Sequence, residues 1–123
     1  DLDKGLFYGG KADDSMQAGQ LFPQPVIYKN NKVINRNDEI FGKGFAVISK
    51  NKIEINDQDN EFLENIGCTF VHLEEDLINQ NHWIEKIMEL GEVFIVRPDK
   101  YIFGSSSNDV SLEELIDDLR KRI

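Results

Sequence analysis

The sequence predicts an α/β domain with a mixed four-stranded central sheet, and three observations carry that expectation. From residue 45 onward, short apolar runs rich in β-forming residues alternate with stretches of helical spacing, in the order β-α-β-α-β-β-α. The last stretch has both a capping signal and an unbroken apolar stripe, so the chain closes on a helix that needs a sheet to cover. With 123 residues and 40% hydrophobic content, the chain has one domain's length. A domain of this size buries about two-thirds of its unfolded surface and needs no disulfide or metal to hold a core.

Residues 1–25 read as an irregular arm ahead of a domain over residues 26–123. Gly5, Gly9, Gly10 and Gly19 punctuate the arm, and Pro23 and Pro25 close it. Its large apolar residues Phe7, Tyr8, Leu21 and Phe22 are expected to pin it along the body. Val26-Ile27-Tyr28 and Val33-Ile34 flank Lys29-Asn30-Asn31-Lys32, and because asparagine tolerates positive φ a small hairpin is expected. Gly42-Lys43-Gly44 opens Phe45-Ala46-Val47-Ile48, a short apolar run bounded by turn formers and read as a buried strand.

Asp57 is placed as the cap of a short helix carrying Phe62, Leu63 and Ile66, with Gly67 as its stop. Cys68 to Leu73 alternates and makes the second strand. Asn81 to Leu90 makes the second helix, ended by Gly91, with Trp83, Ile84, Ile87 and Met88 at helical spacing. Trp83 reads most simply as core; the other reading is an interface anchor. Val93 to Val96 is the third strand, Arg97-Pro98-Asp99-Lys100 a turn, and Tyr101-Ile102-Phe103 the antiparallel return. Ser111 and Glu114 form the capping box of the last helix, whose stripe is Leu112, Leu115, Ile116, Leu119 and Ile123.

A parallel β-α-β unit, an added antiparallel hairpin and a covering terminal helix make the arrangement of the thioredoxin fold. A redox member of that fold needs a thiolate at the start of the helix after the first strand. Here that stretch runs from Ile48 to Asp59 without a cysteine. Cys68, the one cysteine, opens the second strand and reads as apolar filler. A single cysteine makes no internal disulfide and fits a reducing, cytoplasmic compartment.

The net charge is 14 − 23 = −9. That balance argues against a partner with a phosphate backbone and against anionic lipid. No apolar run approaches the roughly 20 residues of a spanning helix, and no secretory signal is visible. The chain begins Asp1-Leu2-Asp3 without methionine and reads as a processed product or a piece cut from something longer. His72 and His82 lack metal-ligand spacing, so no metal is expected. Glu74-Glu75-Asp76 reads as a solvated loop. Gly42-Lys43-Gly44 looks like a phosphate loop but precedes a strand instead of joining a strand to a helix. These residues name no catalytic, cofactor-binding or metal-binding group.

Four segments, in order, carry a resemblance. They are Ala18-Gly19-Gln20-Leu21-Phe22-Pro23-Gln24-Pro25, Asp38 through Ile48, Ile66 through Val71, and Phe94-Ile95-Val96-Arg97-Pro98-Asp99-Lys100-Tyr101-Ile102. Together they resemble the C-terminal domain of flavin-dependent aromatic hydroxylases, in particular those acting on 3-(3-hydroxyphenyl)propionate. The resemblance runs from about residue 16 to about residue 105; the stretch from Glu74 to Ile87 matches poorly and the first 15 residues only loosely. It implies a redox-inactive thioredoxin-like domain that serves packing and homo-oligomer contact beside a flavin domain of the same chain. By the same resemblance the arm is a linker from that domain. FAD and NAD(P)H belong to the parent oxidoreductase, and no catalytic residue carries over to this chain. Two rival readings are a free-standing, redox-dead binding module and a small enzyme with a site around His72, Glu74 and His82.

Overall fold

The computed structural model describes residues 7–10, 18–23, 28–29, 32–33, 41–73 and 82–123. After a 3₁₀ turn at Tyr8–Gly10 the elements are β1 (Tyr28–Lys29), β2 (Lys32–Val33), β3 (Ala46–Ser49), α1 (Asp57–Asn65), β4 (Thr69–His72), α2 (His82–Met88), β5 (Val93–Val96), β6 (Ile102–Ser105) and α3 (Leu112–Arg122). β1 and β2 pair antiparallel as the expected hairpin, Tyr28 opposite Val33. Val26, Ile27 and Ile34 lie outside the described residues.

The central sheet has the order β4-β3-β5-β6. β3 and β4 run parallel, while β3–β5 and β5–β6 are antiparallel, as the β-α-β plus hairpin reading requires. Because side chains alternate along a strand, β3 and β5 split their residues between two cores. Ala46, Ile48, Phe94 and Val96 face α2, where Ile84, Ile87 and Met88 meet them together with Phe22 and Phe41. Val47 and Ile95 face the opposite layer, formed by Leu63 of α1 and Leu115, Ile116 and Leu119 of α3. Covered on both sides, β3 and β5 are buried throughout, which explains why they read as continuous apolar runs.

Helix ends follow local chemistry, with one correction. The cap of α1 is Asn56, not Asp57: Asn56 Oδ1 accepts from the Asp59 amide at 2.8 Å. Asp57 becomes the first helical residue, where a carboxylate still suits the helix dipole. At the other end the Cys68 amide donates to Leu63 O and the Gly67 amide to Glu64 O, with Gly67 at φ 72. That is a Schellman closure, and it sets the direction in which β4 departs. Ser111 caps α3 through the Glu114 amide at 3.1 Å, as expected.

The described part of the arm lies along the outer edge of β6. Leu21 bridges Tyr101 in antiparallel sense, and backbone bonds join Gly19 and Gln20 to Ile102 and Phe22 to Lys100. Phe7 and Phe22 are buried, so the aromatics do pin the arm, but Leu21 is exposed. Trp83 corrects the core reading: it is 66% exposed. At 100° per residue it stands about 90° from the middle of the arc made by Ile84, Ile87 and Met88, on the shoulder of α2.

The 97–100 turn is locked by its own residues. The Lys100 amide donates to Arg97 O, Pro98 supplies the preset φ, and Lys100 takes φ 72, the left-handed position of a three-residue hairpin loop. Asp99 pairs with the buried Arg97 at 2.7 Å and accepts from the Tyr101 amide. Phe7 of the arm stacks on the Arg97 guanidinium, 4.7 Å from ring centre to Cζ. A second ion pair ties α1 to α3: Arg120 reaches the buried Asp59 at 2.6 Å and lies over Phe62. The hydrogen bond to Asp59 leads the rise of the Arg120 pKa above its ordinary value.

Candidate functional site

Parallel pairing of β3 with β4 sets Val47 beside Phe70 and Ser49 beside His72. β4 is the last strand of the sheet on that side, and α1 does not close over its outward residues: Phe70 is 42% exposed and His72 is exposed too. The segment from Lys52 to Ile55 crosses in front of them before α1 begins. An open cleft of about 480 Å³ results at the carboxyl ends of the two parallel strands, the position where open α/β sheets place ligands. Its apolar wall includes Val47, Ile53, Ile55 and Phe70; Ser49, Lys52, Asn60 and His72 bring polar groups.

The His72 ring is oriented by one bond. Nε2 lies 2.7 Å from the Lys50 carbonyl oxygen, which only accepts, so Nε2 carries the proton and Nδ1 is left as an acceptor in the neutral ring. His82 is elsewhere. It starts α2, on the opposite layer, with its ring 5.5 Å from that of Trp83. The structure therefore does not bring the two histidines together; Glu74, Glu75 and Asp76 lie outside the described residues. Among the described residues no three His, Cys, Asp or Glu side chains converge as metal ligands.

Gly42-Lys43-Gly44 has a packing purpose. Gly42 sits at φ 72, and a Cβ there would run into the Thr69 hydroxyl. A Cβ at Gly44 would stand 2.9 Å from the Gly67 carbonyl oxygen. The two glycines let the entry of β3 pass directly against the entry of β4, where the Thr69 amide donates to Phe45 O.

Cys68 is half-buried against the α1/α3 core, with Sγ 3.6 Å from Thr69 O. Burial pushes its thiol up to about 12 from 9.0, only partly offset by a backbone hydrogen bond from Val47. At pH 8 a thiol of that pKa is about one part in 10⁴ thiolate, against about a tenth for an ordinary one. Iodoacetamide should therefore label the native chain about a thousandfold more slowly than the urea-unfolded chain. A native rate within tenfold of the unfolded one refutes the burial. Since folding raises this pKa, the stabilisation is complete below about pH 9 and is lost as pH climbs towards 12. Cys68→Ala should remove that alkaline loss, read as the urea midpoint against pH.

No helix among the described residues is long and apolar enough to cross a membrane. Residues 19–122 match the protein family described as the HcaD C-terminal domain. No curated protein matches the chain. Among solved structures it is similar to OxyS anhydrotetracycline hydroxylase from Streptomyces rimosus, with 12% identity and a TM-score of 0.56 over 85% of this chain and 20% of that one. It is similar also to RebC soaked with K252c, with 14% identity and a TM-score of 0.49 over 94% of this chain and 23% of that one. The chain thus spans about a fifth of the length of these proteins. At such identity OxyS shares the fold, and RebC adds nothing to that.

Proposed function

Because this chain belongs to the HcaD C-terminal domain family, we propose that it is the C-terminal, redox-inactive thioredoxin-like domain of a FAD-dependent monooxygenase. The parent uses NAD(P)H and O₂ to hydroxylate a phenolic acid such as 3-(3-hydroxyphenyl)propionate, in the cytoplasm. Residues 1–25 are the linker from its flavin domain, and residues 26–123 pack on that domain and take part in a homo-oligomer contact. The observation that carries the reading is the family match over residues 19–122. The ordered segments from Ala18 to Ile102 agree with it, and so does the one cysteine, which leaves no dithiol for redox work. Exposed Leu21, Tyr101, Trp83 and Leu90 supply apolar surface of the kind that docking uses.

The test is the mass and absorbance of the native protein, captured from its source cells with an antibody against this chain. A species far heavier than 14.2 kDa with a yellow flavin spectrum is the expected result. A colourless species near 14.2 kDa overturns the proposal in favour of a free-standing binding module.

A further inference from the structure

We propose that the apolar face formed by Leu21 of the arm and Tyr101 at the entry of β6 is the surface on which the flavin domain of the same chain docks. The inference rests on the hydroxylase reading above and names the contact that reading leaves open.

The arm builds this face. Leu21 bridges Tyr101 in antiparallel sense, between the bonds from the Phe22 amide to Lys100 O and from the Ile102 amide to Gln20 O. Side chains alternate along such a pair. Phe22 and Ile102 point into the core that α2 closes. Leu21 and Tyr101 therefore point the other way, to the layer where Tyr8 meets Phe103. They stand there as neighbours, 53% and 42% exposed. Phe7 reaches the same place, on the guanidinium of Arg97, whose amide donates to Tyr101 O.

Reach selects the occupant. With residues 1–25 as the linker, only six residues stand between the preceding domain and Phe7. Six residues span at most about 20 Å, so that domain is tethered beside this face. A short tether gives an effective concentration in the millimolar range, and a small contact then suffices. A second copy has no tether and repels its twin with the same net charge of −9.

Charge separates this face from the other exposed apolar spot. Arg97 holds Asp99 at 2.7 Å, and Lys100 Nζ donates to Gly42 O at 2.7 Å. The ionised groups beside Leu21 and Tyr101 are thus engaged within the domain, and covering the face takes little charge out of water. Trp83 lies on the opposite layer with the exposed Lys86 ammonium 5.9 Å from its ring centre. Docking there would desolvate that ammonium.

The test uses the full-length parent captured from its source cells, beside the 123-residue chain. Under hydroxyl radicals Tyr101 should be oxidised at least about fivefold more slowly in the parent, because docking excludes water, and Trp83 at one rate in both. A photoreactive benzoylphenylalanine placed at Leu21 of the parent should cross-link to a peptide from ahead of Asp1 in the same chain. Leu21→Lys should restore Tyr101 oxidation in the parent and leave the urea midpoint of the 123-residue chain in place. Equal Tyr101 rates, protection of Trp83 in its stead, a cross-link that doubles the mass, or no cross-link would each overturn the proposal; the doubled mass would assign the face to a second copy. A colourless captured species near 14.2 kDa is a separate failure, that of the hydroxylase reading, and takes the proposal with it.

Discussion

Replacing Phe22 by alanine should lower the unfolding free energy by about 3–5 kcal/mol, the usual range for deleting a buried phenylalanine. Phe22 is 1% exposed and lies edge-on to two rings, Phe41 at 5.5 Å and Phe94 at 5.9 Å. It belongs to the core that α2 closes with Ile84, Ile87 and Met88. Alanine leaves a void among these residues and removes the ring that fastens the arm. The backbone bonds of Gly19, Gln20 and Phe22 to β6 would remain, but they lie at the sheet's margin and hold little without the ring. Leu21→Ala is the internal control: its side chain is 53% exposed, and the change should stay within about 0.5 kcal/mol. Urea denaturation of the two variants decides the matter. A Phe22→Ala loss below 1 kcal/mol would mean that the arm is not docked in solution. Domains of this size have about 5–15 kcal/mol of stability in all, so the expected loss is a large part of it.

That contrast between neighbours shows which parts of the fold were legible in the sequence. The strands were legible because β3 and β5 are covered on both faces and so are apolar but for Ser49 at the end of β3. The terminal helix was legible because Ser111 and the spacing of Leu115, Ile116 and Leu119 agree on one answer. Asn56 was missed because it stands beside Asp57, and either residue type caps a helix; only the bond to the Asp59 amide separates them. Trp83 was misplaced because four apolar residues on a short helix leave the centre of the buried arc undetermined. Pairing of Leu21 with Tyr101 and stacking of Phe7 on Arg97 join residues some 80 to 90 positions apart, beyond any periodicity. The cleft has the same character. Ser49, Lys52, Asn60 and His72 share no motif and meet through the parallel register of β3 and β4. Gly104 stood just past the expected strand Tyr101-Ile102-Phe103 and so was not read as a strand glycine, yet it lies inside β6.

Gly104→Val is expected to destabilise the chain by about 3 kcal/mol, at the upper end of what overpacking ordinarily does. The cause lies in the pairing of β5 with β6. Ile95 faces Gly104 and Val96 faces Ile102, so Phe103 is the extra residue of a bulge. A bulge lets two successive residues serve one side of the strand. Phe103 fills the α1/α3 core, where it lies edge-on to Tyr8, and Gly104 must leave room beside it. A Cβ at Gly104 would stand 2.9 Å from Leu115 Cδ2 and 3.0 Å from Tyr8 Cβ. Elsewhere in a strand, exchanging glycine for alanine gains about 0.5–1 kcal/mol, because the unfolded chain loses freedom. Here the sign reverses, because Leu115, on the inner face of α3, is fully buried and its Cδ2 would meet the added Cβ. Tyr8 touches through its Cβ, which moves only with the backbone, whereas the Leu115 contact is a side-chain methyl. Gly104→Ala should therefore be less harmful in a Leu115→Ala background, which removes the contacting Cδ2, than alone, and the double-mutant cycle measures that coupling. Additive losses would place the strain on the Tyr8 Cβ contact alone. A neutral Gly104→Val would mean that the bulge relaxes, and that β6 is not held in this register.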